Sequence, residues 1–412
     1  MSRPRLLVLL LAVLFLATSA HPQRAPGSVK PWEHETSDIQ VNDRITFGHL
    51  DNGLRYVWMT NPEPDQRSYV RLHVDVGSLG ETPEEAGMAH FLEYMAFNGS
   101  ENFEPGTLVE WFQAHGMSFG ADTNASTGFS ETIYMLNLPY SDAETLNEGL
   151  QVLRDFAGGL LLTEEEVQAE KGVIDGEQRE RDSAFYRAFV ESLERQYAGT
   201  TYPDKLPIGY KETRDEFTAE SVRAFYARWY RPENMTLVIV GDLEDFDPTE
   251  LVHQYFADLP VPEGEVLPEP PRGEPSLDDL FFVINEPEIS QVSITVEMLR
   301  PWEDEPVNVE TVTEDVPLWL AHRMLNLRYS ELAKEEGAPF LSASVGQAGG
   351  LKIFEGETLR ISCDPDKWEA ALLAADTELR RALQFGFQQA QLDEVRADWL
   401  RSLDESVERE AT

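Results

Sequence analysis

The sequence predicts an α+β protein of two similar domains, each a mixed sheet packed with helices, the second incomplete. Helical and strand periodicities alternate loosely along the chain, and hairpins stand among them in place of strict strand–helix–strand units. A stretch rich in Pro and Glu, 259–278, divides the chain and reads as a linker. The order of elements beyond it resembles the order before it. The chain then stops at Thr412 inside a charged helical stretch, with no closing strand or cap.

Each element has a local cause. Residues 1–20 read as a secretory signal: Arg3 and Arg5 form the positive start, 6–16 the apolar run, and Thr18-Ser19-Ala20 a small-residue cleavage site. That run is too short to span a bilayer, and no second candidate for a membrane span follows. Residues 21–43 are polar, contain Pro, and read as a loose leader. The first domain, 44–258, opens on a hairpin of 45–50 and 54–58 turned by Asn52-Gly53. Residues 69–76 alternate as a half-buried strand. Thr82-Pro83-Glu84-Glu85 is a helix start, with a capping residue, an early Pro and a reciprocal Glu.

Further capping boxes, Ser141 with Glu144 and Thr163 with Glu166, open two long helices. The second of these is predicted to run unbroken to about residue 196. A helix over 219–229 precedes an apolar strand over 235–241. In the second domain, 279–412, a strand over 291–298 and a helix over 316–335 precede strands at 340–345 and 352–361. Helices from 366 and 391 complete it.

Composition narrows the function classes. Removing the signal leaves about 390 residues, enough for two ordinary domains. The single Cys363 cannot form an internal disulfide, and its apolar alternation with Leu359 and Ile361 predicts a buried, inert thiol. The residue directly after the cleavage point is His21 and not Cys, which argues against a lipid anchor. The formal charge is −42, and loss of Arg3 and Arg5 with the signal makes it −44. Such a surface repels nucleic acid and anionic membrane. The acids are scattered, as on a solvated surface; steering of basic peptides is the alternative. The predicted location is outside the cytoplasm, periplasmic or extracellular.

The chemistry centres on His90-Phe91-Leu92-Glu93-Tyr94. An inverted zinc motif reads H-x-x-E-H on a helix, with two His as ligands and the Glu as base. Here Tyr94 stands at the second His. On a helix, positions i and i+4 share a face, so His90 and residue 94 address one point and Glu93 reaches it too. Three protein ligands would leave a fourth position for water. A His-x-x-Glu pair alone is more often a solvated pair than a site. Phe91, Leu92, Met95 and Phe97 read as core, as do Trp111, Phe112, Trp229 and Tyr230.

The segment 87–100, Gly-Met-Ala-His-Phe-Leu-Glu-Tyr-Met-Ala-Phe-Asn-Gly-Ser, resembles the signature of the insulinase/pitrilysin family of zinc peptidases. The blocks 120–127, 131–134, 170–174, 208–210 and 225–242 are similar to later family segments, so the likeness is continuous from about 44 to 258. It implies a Zn2+ cofactor and a zinc metalloendopeptidase cutting peptides or small unfolded proteins.

In the family the third ligand is a Glu seventy-six residues beyond the second motif His; counted from Tyr94, that is Glu170. Glu177 matches the acidic residue that supports the site. Asn124 and Ala125 lie on the strand that pairs with substrate. Tyr94 departs from the pattern, because a phenol must lose a proton near pH 10 to act as an anionic ligand. Three arrangements stay open. Zinc is held weakly by His90, Glu170 and Tyr94; a neighbour such as His115 or Asp122 completes the set; or the site is empty and the chain is a non-catalytic, peptide-binding or partner subunit. The family encloses substrate between two halves, so a second chain or a missing C-terminal half would be needed to close the chamber.

Overall fold

The structure is a computed structural model describing residues 24–118, 120–243, 247–276 and 280–410; the signal stretch and residues 21–23 lie outside the described residues. The first unit is built on a six-stranded sheet. Its hairpin joins β1 (Ile45–His49) to β2 (Arg55–Thr60) through a turn in which Gly53 takes φ +93°, where a Cβ would meet Glu233. β3 is Ser68–Val74, followed by α1 (Met88–Met95) and α2 (Thr107–Ala114). β4 (Thr123–Thr127) and β5 (Thr132–Leu138) lead to α3 (Ala143–Gly158) and α4 (Glu164–Arg181). α5 (Ala184–Gln196), α6 (Lys211–Asp215) and α7 (Ala219–Trp229) precede β6 (Met235–Gly241) and α8 (Thr249–Phe256).

The strand order is β1-β2-β6-β3-β5-β4, antiparallel throughout except for the parallel β2–β6 pair. β3 and β5 alternate strictly, burying Val70, Leu72 and Val74 beside Tyr134, Leu136 and Leu138. Helices α1, α3, α7 and α8 cover that face and join one apolar core with it. β4 is left as the edge strand, with α1 packed beside it. Sheet and helices thus set the motif helix against an open strand edge.

The linker carries the chain back along the first unit: Val266 is buried and bridges Arg24, and Gly273 bridges Thr200. The second unit has three strands among the described residues, ordered β7 (Val292–Pro301), β9 (Phe354–Cys363), β8 (Ser342–Gly350). α9 (Val309–Leu332), α10 (Trp368–Phe385) and α11 (Gln389–Glu410) accompany it. Leu359, Ile361, Cys363, Tyr329 and Ala375 form its core, so Cys363 is buried as predicted. A separate cluster of Leu79, Leu193, Tyr197 and Tyr202 with Ile353 and Phe354 joins the two units.

Three local expectations are corrected. The helix predicted from 163 to about 196 is two helices, because the Ser183 hydroxyl accepts from Tyr186 N and caps a new start. The cap of α3 is Asp142, one residue beyond Ser141, with its carboxylate on Thr145 N. Residues 24–43 are no loose leader. Arg24 donates to Glu233 O and Asn234 Oδ1, Gly27 N donates to Glu233 Oε1, and Trp32 lies under the Arg55 guanidinium. A buried carboxylate and a planar cation supply partners that composition does not reveal.

Candidate metal centre

The motif helix is set by its entry. Thr82 and Glu85 form the predicted capping box, but it closes only the short turn Pro83–Glu85. α1 itself starts after Gly87, at φ +95°, where its first N–H groups need acceptors. Glu81 provides them: its two carboxylate oxygens accept from Gly87 N (2.9 Å) and Ala89 N (2.8 Å). Burial nevertheless pushes the Glu81 carboxyl up to about 8, against the pull of those two N–H groups.

α1 then buries Phe91, Leu92 and Met95, the predicted core positions, and turns His90 and Glu93 toward α4 and β4. His90 is 4% exposed, and burial lowers its pKa to about 4, so the imidazole is neutral and able to offer a lone pair. Glu93 is 6% exposed and is pushed up to about 7, again by burial. Thr127 Oγ1, on β4, donates to Glu93 Oε2 at 2.6 Å.

The carboxylate that meets the motif is Glu177. Its Oε2 lies 3.4 Å from His90 Nε2, and its Oε1 accepts from Arg181 Nη2 at 2.5 Å. Glu177 also dominates the charges felt by His90 and, after burial itself, by Tyr94. Glu170, the residue reached by the count of seventy-six, is buried on the same helix, but its Oε2 accepts from Asn98 Nδ2 at 2.5 Å. Seven residues make almost two turns, so both acids share one face of α4. The expected order, Glu170 at the metal and Glu177 behind it, is not the order of contacts, in which Glu177 meets His90 and Glu170 meets Asn98.

Tyr94 stands beside His90 with ring centroids 5.1 Å apart. Burial and the Glu177 charge raise its pKa well above the usual phenol range, so its hydroxyl is neutral. The other proposed completions do not reach the site. His115 pairs with Glu148 at 3.1 Å and stacks on Trp111, while Asp122 Oδ2 accepts from Ser118 N. Trp111, Phe112, Trp229 and Tyr230 pack on the core, as predicted.

The donor set can be tested against zinc. Two donors bound tetrahedrally at about 2.0–2.1 Å stand roughly 3.4 Å apart. His90 Nε2 and Glu177 Oε2 have that separation, too long for a good hydrogen bond. Glu177 Oε2 is buried and makes no hydrogen bond of ordinary length. Although the Tyr94 hydroxyl bears on this carboxylate, the oxygen retains a lone pair that a cation would satisfy. These two groups therefore fit zinc. Among the described residues, however, no group of three His, Cys, Asp or Glu converges, so the conventional set is one ligand short.

Asn124 and Ala125 lie on the edge strand β4, Asn124 exposed and Ala125 half-buried against the core. Sequence reasoning overlooked Glu81, Asn98, Thr127 and Arg181. Asn98 and Thr127 fall inside segments singled out for their resemblance, and Arg181 is i+4 from Glu177; in each case only the fold reveals the partner.

The sequence matches the profile described as "Insulinase (Peptidase family M16)" over residues 56–205 and "Peptidase M16 inactive domain" over 216–398. It is 30% identical over 378 residues to "Probable zinc protease PqqL" of Escherichia coli strain K12, which covers 90% of this chain and 40% of that protein. The crystal structure of the first half of the periplasmic protease PqqL from Escherichia coli matches with a TM-score of 0.80 at 27% identity, covering 90% of this chain and 79% of that one. The structure of the periplasmic protease PqqL matches at 0.82 and 27%, covering 90% and 41%. The chain spans 31% to 40% of the length of the first three curated relatives it matches.

Proposed function

Since the chain belongs to the insulinase family of peptidases, we propose that it is the motif-bearing part of an exported, zinc-dependent endopeptidase whose hold on the metal is weakened by Tyr94. The observation that carries this reading is the 3.4 Å approach of His90 Nε2 to a buried Glu177 Oε2 that makes no hydrogen bond of ordinary length. His90 and Glu177 would hold the metal, with Tyr94 at the third position and Glu170 behind, oriented by Asn98. When bound, zinc supplies Lewis acidity toward water and the scissile carbonyl.

The chain's own residues do the rest. Burial sets Glu93 near 7, where a carboxylate can both take a proton and return it at neutral pH. The edge of β4 offers unpaired backbone groups to an extended peptide, with Asn124 and Ala125 as the contact residues. Substrate is then a peptide or small unfolded protein, enclosed with the help of a further chain or segment. Export to the periplasm or exterior rests on the signal-like 1–20 and on the likeness to a periplasmic protease.

A second reading has its own observation. The neutral Tyr94 phenol beside Glu177 favours a metal-free, peptide-binding homologue. Cleavage of an unstructured peptide separates the two. Weak hydrolysis by the chain, lost on Glu93→Gln and raised by Tyr94→His, supports the peptidase. No hydrolysis by the chain, with peptide binding retained, supports the binding subunit.

A further inference from the structure

The edge strand β4 touches the catalytic machinery at a second point that the motif does not contain. Thr127 lies two residues beyond Ala125, and its hydroxyl donates to Glu93 Oε2 at 2.6 Å. A hydroxyl has one proton to give, and this one is committed to the carboxylate. Among the described residues the other hydrogen-bond neighbour of Thr127 Oγ1 is Thr132 Oγ1, at 3.5 Å, and Thr132 itself donates to Val76 O at 2.9 Å. The 3.5 Å contact is much the longer of the two, so the 2.6 Å bond to Glu93 is the one that holds the Thr127 proton. Thr127 is also β-branched and sits in a strand paired with β5, so its rotamer is stiff.

We infer that Thr127 is a positioning residue that fixes Glu93 Oε2 as a permanent hydrogen-bond acceptor, so that Oε1 is the oxygen that exchanges protons with substrate. This deepens the peptidase reading and rests on it. In the step it serves, a water O–H bond breaks and its proton passes to Glu93 Oε1. The water oxygen's electron pair forms the bond to the scissile carbonyl carbon. The same proton leaves Oε1 for the departing amine as the C–N bond breaks. Because Thr127 and the proposed substrate contacts share one short strand, docking a peptide on β4 and aiming the base become one structural event.

The test uses the 412-residue chain and two readouts. Thr127→Val keeps the shape and removes the donor, while Thr127→Ser restores it. In thermal unfolding, Thr127→Val is expected to lower the midpoint in the chain as it stands but much less in a Glu93→Ala background, with Thr127→Ser close to the parent. In the Tyr94→His background, Thr127→Val is expected to reduce kcat for an unstructured peptide by roughly tenfold to a hundredfold, with KM and zinc content unchanged and Thr127→Ser active. Absence of coupling to Glu93, or a rise in KM with kcat preserved, overturns the assignment. If Tyr94→His alone is inactive, the peptidase reading fails, whereas the unfolding cycle still decides whether Thr127 holds Glu93.

Discussion

At Tyr94 a phenol stands where the proposed ligand set would need an imidazole, beside His90 with ring centroids 5.1 Å apart. Glu177 pairs with Arg181, His90 is neutral, and the phenol keeps its proton. The role of each acid on α4 is then testable by removal. In the Tyr94→His background, Glu177→Ala is expected to weaken zinc binding by more than the roughly 10–100-fold typical of losing an outer partner, and Glu170→Ala by no more than that. Competition with a chromogenic chelator would measure both; equal losses would contradict the assignment. His90, Glu93 and the departure at residue 94 were legible in the sequence because a helix puts i and i+4 on one face. Which of Glu170 and Glu177 meets the motif was not legible, since seven residues on α4 put both acids on the same side.

Among the elements, α1 and α4 carry the site, and each is anchored by a group outside the motif. Arg214 is 1% exposed and holds α4 through Asp175 (2.6 Å) and Gln178 (2.7 Å) while donating to Ile208 O. Arg214→Ala removes these charge-assisted bonds while Lys211 stays on Asp175 at 2.9 Å, and is expected to cost about 2–3 kcal/mol in chemical denaturation. Glu81 anchors α1, and its raised pKa fixes a sign. The folded state binds that proton more tightly than the unfolded chain does, so stability falls as pH rises from about 4.5 to about 8. Glu81→Gln is expected to flatten that part of the slope; an unchanged slope would show that Glu81 ionises normally. The capping signals at Thr82 and Thr163 were readable because caps are local. The break at Ser183 was masked by helical periodicity on both sides, and the Glu81 cap by six residues of intervening chain.

For the whole molecule, the two units meet through aromatic packing and buried polar contacts. Phe354 stacks on Tyr197 with centroids 4.8 Å apart, and the Tyr202 hydroxyl donates to Leu351 O. Phe354→Ala is expected to cost about 3–5 kcal/mol and to loosen the second unit ahead of the first, read as earlier amide exchange in β9. The α+β class followed from the loose alternation of helical and strand periodicity. The parallel β2–β6 pair did not, because pairing across nearly the whole first unit leaves no local trace. All these contacts serve one claim, that His90 and Glu177 form a zinc site lacking the ligand that Tyr94 replaces. Equilibrium dialysis with metal analysis tests it most directly on the chain, on Tyr94→His and on Tyr94→His with Glu177→Ala. The account predicts sub-stoichiometric zinc for the first, one zinc per chain for the second and loss again in the third. It is contradicted if Tyr94→His binds no more zinc than its parent, or keeps its zinc without Glu177.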